Sequence, residues 1–213
     1  CDTPRYGAEA GARDLADEAI FLCRLLVGML PAEPEPKGLL ALMLHCESRR
    51  AARRGELGEF VPLNEQDVQL WSRDMIIEAE GHLVAASRAG RFGRFQCEAA
   101  IQSVHAQRAV TGRTHHPALL TLYGLLATHH PSVGVLVSQA AALTDAGEAQ
   151  QALQVLARLA DEAVRLYQPY WVTLATTLGA ASDPASARNA WQRAIGLTED
   201  PAIRAFLQRR ALS

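Results

Sequence analysis

The stretch "PEPKGLLALMLHCESRRAARR", residues 34–54, opens on prolines, becomes almost wholly apolar and ends in paired arginines. A membrane anchor with a basic flank, an arm for nucleic acid and a core helix with a wet face all begin this way. Its dense apolar run is Gly38 to Leu44, far short of the roughly 20 residues a spanning helix needs. The run is internal and its main charges follow it, unlike the order in a signal peptide. At helical spacing Leu39, Leu42, Met43 and Cys46 form one stripe, which Arg50 and Arg53 continue. Pro36 suits a first helical turn, where its missing N–H costs nothing. The stretch therefore predicts a core helix with an arginine-bearing end.

Working outward, the whole chain of 213 residues is 49% hydrophobic, enough to bury one large core or two modest ones. A net charge of −2 argues against a dedicated nucleic-acid binder, which carries a clear basic excess. The basic residues gather locally, at Arg49, Arg50, Arg53 and Arg54 and again at Arg88, Arg91 and Arg94. Each cluster falls near a predicted helix end, where cations oppose the macrodipole. Cys1, Cys23, Cys46 and Cys97 form no CxxC pair; free cysteines in helices behave as small hydrophobes, and a disulfide framework is not expected. These features predict a cytoplasmic protein without a membrane segment.

Nearly every segment reads as helix, and no stretch alternates as a half-buried strand does. The first helix is predicted from about Ala12 to Leu30, with Leu15, Ala19, Leu22, Leu26 and Met29 on its inner side. The prolines of "PAEPEP" end it. Asn64 is placed to cap a third helix, with Asp67 three residues on in a near capping box and Val68, Trp71, Met75, Ile76 and Leu83 at core spacing. A further helix runs from about Gln96 to Val110, with Ala100, Ile101, Val104 and Ala109 inward. Thr114 is placed to cap the helix holding Leu119, Leu122, Tyr123 and Leu126, and Ser132 the next.

In the last third, Ala140, Leu143, Ala152 and Leu156 recur 35 positions later as Ala175, Leu178, Ala187 and Trp191. Gly147 and the "SDP" at 182–184 occupy equivalent turns. The period is one residue from the 34 of tetratricopeptide repeats, which stack helical hairpins. The expected fold is all-α: a helical bundle over 1–112 continuing into a tetratricopeptide-like helical-hairpin array over 113–213.

Candidate chemistry is sparse. His115-His116 and His129-His130 border prolines, and neighbours on a helix point about 100° apart, so they do not share an ion; no metal site and no cofactor are expected. His45 and Cys46 are adjacent and diverge for the same reason, and no nucleotide-binding or hydrolase string occurs. More telling are polar residues near core faces: His45, Arg49, Arg50, Arg53, Gln66, Asp67, Gln96, Glu98 and His105, with Trp71 beside them. A buried arginine needs a carboxylate, which pairs Arg50 or Arg53 with Asp67 or Glu98. The cluster is read first as a network fixing how three helices meet, and second as a pocket or docking face.

The residues that carry a family likeness run through most of the chain. They are Glu18-Ala19-Ile20 with Arg24-Leu25-Leu26, Pro34-Glu35, Gly38 to Leu44, Arg49 to Arg53, Val61-Pro62-Leu63, Gln66-Asp67 and Trp71. Gln96, Ala99-Ala100-Ile101 and Val104-His105-Ala106 continue the series, as do Leu122-Tyr123, Pro131-Ser132, Ala187 to Leu197 and Arg209-Arg210. In order and spacing they resemble the C-terminal helical, tetratricopeptide-like extension of bacterial extracytoplasmic-function RNA polymerase sigma factors. The chain departs from that pattern where an Asn-Glu-Gly-Tyr string is usual, offering only Tyr6, and has His116 where a tryptophan is common.

The resemblance implies a non-catalytic regulatory domain, not an enzyme, whose partners are the sigma factor's promoter-reading domains and RNA polymerase. DNA would be reached only through domains outside this chain, which reads as the extension alone. The alternatives are a free-standing helical adaptor for a peptide or small ligand, and a ligand sensor or enzyme built on His45, Arg50, Asp67 and His105.

Overall fold

A computed structural model describes residues 9–212, with side chains from residue 15 onward. Cys1 and Tyr6 lie outside the described residues. The described chain is all-α; its extended pairing amounts to an isolated antiparallel bridge between Arg54 and Phe60. It forms two compact units, Cys1–His115 and His116–Ser213.

The first unit contains α1 (Glu9–Met29), α2 (Pro34–Glu47), α3 (Arg73–Ser87), α4 (Arg94–Ala106) and the short α5 (Arg108–Thr111). α2 is its centre and packs against α1, α3 and α4. Encirclement decides which of its residues are inside. The fully buried set is Pro34, Gly38, Leu40, Ala41, Leu44 and His45, whereas Leu39, Leu42, Met43 and Cys46 of the expected stripe are only half-buried. A helix touched from three sides has no single inner stripe.

Gly38 marks the tightest approach. A Cβ there would stand 2.6 Å from the backbone N of Gln96, so the absent side chain lets α4 lie against α2.

α1 runs back along α2, and the Cys23 thiol donates to the Pro36 carbonyl at 3.6 Å. Its inner residues are Ile20, Cys23 and Val27, which join Leu40, Ala41, Leu44, Ala79 and Ala99 in one core. This reverses the expected facing of α1. Leu15, Leu22 and Met29, predicted to point inward, are 67%, 55% and 78% exposed. The helix is apolar on both sides, and periodicity does not say which side meets the core.

The expected third helix also starts later. Leu63–Glu65 and Val68–Leu70 are separate 3₁₀ turns, and α3 begins at Arg73. Asn64 sits inside the first turn and caps nothing. Asp67 is the cap, its carboxylate accepting from the Gln69 N–H at 2.9 Å. Extended backbone at Gln66 and Trp71 breaks the helix and turns both side chains inward, where they are buried. Likewise α4 ends at Ala106, and Ala109, expected in the core, is exposed.

The second unit contains α6 (His116–His129), α7 (Val133–Asp145), α8 (Ala149–Leu156), the short α9 (Asp161–Val164), α10 (Gln168–Ala180), α11 (Pro184–Gly196) and α12 (Pro201–Arg210). Helices α7 and α8 form one hairpin, α10 and α11 another, and α10 packs on both members of the first. The 35-residue period is written into the turns. After α7, the Glu148 N–H donates to the Leu143 carbonyl and Gly147 to Thr144; after α10, Asp183 donates to Leu178 and Ser182 to Gly179. Both turns pass through left-handed backbone, at Gly147 (φ 86°) and Ser182 (φ 63°), as helix C-termini of this type require. Ala140, Ala152, Ala175 and Ala187 are buried where the helices touch. Between hairpins the Thr144 and Thr177 hydroxyls meet at 2.8 Å. Ser132 caps α7, accepting from the Val135 N–H at 3.2 Å, as its position predicts.

Candidate functional site

Two features of the first unit stand out: a polar cluster at the C-terminal end of α2 and the uncovered side of α1.

The cluster is built where α2 gives out. His45, on the last turn, is 1% exposed and lies between α3 and α4. Its Nε2 is 3.5 Å from the Glu80 carboxylate, to which the Ser103 hydroxyl donates at 2.5 Å. Neither ring nitrogen has a hydrogen-bond partner among the described residues. Burial, and secondly the Arg49 guanidinium, push its pKa down to about 4, so His45 is neutral near pH 7. Arg49 is itself buried. Arg53 donates to the Cys46 carbonyl at 2.5 Å, satisfying one of the acceptors that every helix end leaves open.

The arginine pairing expected from sequence does not form as drawn. Arg50 pairs with Glu47 at 2.5 Å, Glu98 with Arg94 at 2.8 Å, and Asp67 is engaged as a cap. Local partners three or four residues away are already in reach on a helix, and they take the charges first. The Ser72 N–H donates to the Ser48 carbonyl, drawing Trp71 beside the same end of α2. The Arg108 guanidinium lies 5.1 Å over the Trp71 ring and donates to the Gln66 carbonyl at 2.7 Å. The Gln66 side-chain amide donates to the Val61 carbonyl at 3.3 Å.

Of the ten residues singled out, His45, Arg49, Arg50, Arg53, Gln66 and Trp71 gather around the end of α2, and Glu98 is paired with Arg94 on α4. Asp67 is exposed on the adjoining turn, and His105 is half-buried on α4. Gln96 belongs elsewhere. It sits at the first turn of α4, where its side chain donates to Glu35 and to the Arg91 carbonyl. Glu35 also accepts from the Phe95 and Gln96 N–H groups, so a carboxylate on α2 caps α4. Sequence reasoning missed Glu35, because nothing local marks a cap supplied from another helix.

Two of the thiols are quiet. Burial raises the Cys23 pKa, and burial with Glu98 pushes Cys97 up to about 11, away from the thiolate that a nucleophile needs. Of the histidine pairs, His115, His129 and His130 are exposed and His116 is half-buried. Among the described residues no three His, Cys, Asp or Glu converge as a metal site would require, and no helix is long and apolar enough to cross a membrane.

The outer side of α1 is the second feature. Leu15, Phe21, Leu22, Leu25, Leu26 and Met29 are all exposed there, as is Leu30 just beyond the helix end. α1 is held from behind by its inner apolar residues and by Arg24, which grips Glu78 of α3 through two bonds of 2.8 and 2.9 Å. So many large side chains along one helix exceed the scattered exposure normal for a monomer surface, and patches of this scale mark interaction sites.

Residues 4–87, which include α1 and the α2 side of the polar cluster but not Ser103 or Arg108, match the model of a family of unknown function, DUF6596. The chain is similar to the uncharacterized protein R00370 of Rhizobium meliloti (strain 1021), with 36% identity over 204 residues. That match takes in 95% of this chain and 48% of the relative. The chain thus spans about half the length of the curated relative it matches. No solved structure matches it.

Proposed function

We propose that this chain is a non-catalytic, all-helical regulatory domain of an RNA polymerase sigma factor. In this reading it modulates transcription initiation by packing against the promoter-reading domains and the polymerase, in the cytoplasm, with DNA contacted only by domains outside the chain. The observation that carries the packing role is the uncovered apolar side of α1, which suits docking and offers no reactive group. The sigma-factor assignment itself rests on the order and spacing of the motifs from Glu18 to Arg210. A domain of this kind acts by changing how often an active arrangement is populated, which requires only that it bind two arrangements unequally.

The test is transcription from a cognate promoter by the full-length factor with and without residues 1–213. A several-fold change in initiation is expected; unchanged initiation, or an upstream reading frame without sigma-type helices, sinks the assignment.

A second reading, a free-standing adaptor, is favoured by a recess of about 350 Å³ in the second unit. Leu120, Leu143 and Val155 line it together with Gln139, Gln151, Gln154 and Arg158, apolar contact beside amide groups that match a peptide backbone. Affinity capture that recovers a peptide-bearing partner and no RNA polymerase would decide for it.

A further inference from the structure

We infer that the outer face of α1 is covered, in the sigma factor proposed above, by a helix of the promoter-reading half that carries an apolar stripe and a cation opposite Glu18. The inference rests on that functional reading and names the surface and the chemistry of its occupant.

The pattern on α1 is that of a helix pair. Leu15, Leu22, Leu25 and Met29 follow the alternating three- and four-residue spacing of a packing seam, with Glu18 in the remaining slot and Leu26 beside it. The opposite side is separately used, by Ile20, Cys23 and Val27. From Leu15 to Met29 the helix therefore carries two apolar faces with Asp17 and Arg24 at their margin, and the core covers one of them.

A second copy fits the face poorly. In a parallel α1 pair Glu18 would meet Glu18, and in an antiparallel pair it would meet the apolar run from Leu22 to Met29. The cation among the described side chains of α1, Arg24, is turned away and held by Glu78. A carboxylate buried in such a seam without a cation costs several kcal/mol. The occupant therefore brings its own positive charge, in keeping with the basic character of a domain that reads DNA. The relative aligned over nearly all of this chain has more than half its length outside the match, ample to supply a helix.

Amide hydrogen exchange tests the inference. In the full-length factor, peptides covering residues 15–30 should exchange at least ten-fold more slowly than in residues 1–213 alone. The double variant Leu22→Glu, Met29→Glu should abolish that difference, while leaving the thermal midpoint of residues 1–213 unchanged because both positions are exposed there. Equal exchange in the two proteins overturns the docking, even where transcription still depends on residues 1–213. Slow exchange in residues 1–213 that grows with protein concentration also overturns it, in favour of a second copy. A factor whose transcription ignores residues 1–213 removes the functional reading first, and the occupant with it.

Discussion

The two helical hairpins of the second unit and the α1–α2 hairpin of the first are made from the same Leu/Ala-rich material, yet their sequences map onto structure differently. In α7/α8 and α10/α11 the periodic small residues are the buried ones, and the turn between helices repeats bond for bond. In α2 the apolar residues are buried or half-buried on every side, and in α1 they include both the buried set and a second set left outside. The difference lies in the number of neighbours. A repeat hairpin is covered by the next one in a fixed way, so one stripe per helix suffices. α2 is surrounded, and α1 presents a second apolar side that no described residue covers.

That contrast can be broken most directly within α1. Ile20→Ala should destabilise the chain by about 3 kcal/mol through a core cavity, whereas Leu22→Ala, two residues away, should stay within about 0.5 kcal/mol. Denaturant titration of the two variants measures it; a larger loss at Leu22 would mean that α1 is packed the other way round, and equal losses that both of its sides are covered.

His45 should give an acid-side signature of nearly the same size. Its folded pKa, about 4, lies below the ordinary value near 6.5, so the unfolded chain binds the proton first. The contribution is fully present above about pH 6.5 and is lost as pH falls towards 4, amounting to roughly 3 kcal/mol at most. Burial first, and the Arg49 guanidinium second, oppose its protonation. The slope of stability against pH over that window should flatten in His45→Gln.

Gly38→Ala tests the centre of the first unit more gently. The added Cβ meets the α4 backbone at Gln96 as well as the side chain of that residue, and overpacking of this kind costs about 1–3 kcal/mol. The smallest effect belongs to the repeat. Ser182 holds left-handed backbone where its counterpart is Gly147, so Ser182→Gly should stabilise by up to about 1 kcal/mol. A calorimetric midpoint that falls instead would show that the Ser182 side chain contributes more than its backbone strain costs.

Much of this was legible beforehand. The prolines at 31–36, the turns at Gly147 and Ser182 and the Ser132 cap are local features, set by residues within a few positions of each other. The 35-residue period could be read because each hairpin repeats the same neighbours. The polar cluster was legible as composition but not as geometry. His45 and Trp71 do converge at the end of α2, whereas Gln96 is held at α4's first turn by Glu35, whose position in sequence gives no hint of it. Asn64 failed as a cap for a related reason: the chain bends at Gln66 and Trp71 to put both into the core, and that gain is tertiary.

Taken by itself, the amino-acid order determined that this chain is helical, where most helices begin and end, and that its last third is a doubled unit. These follow from backbone propensity, capping and periodicity, which act over a turn or two. Only the packed structure decided which side of α1 faces inward, which arginine meets which carboxylate, and that an apolar helical face is left over. Each of those depends on residues dozens of positions apart competing for one place, and a one-dimensional pattern carries no record of who wins.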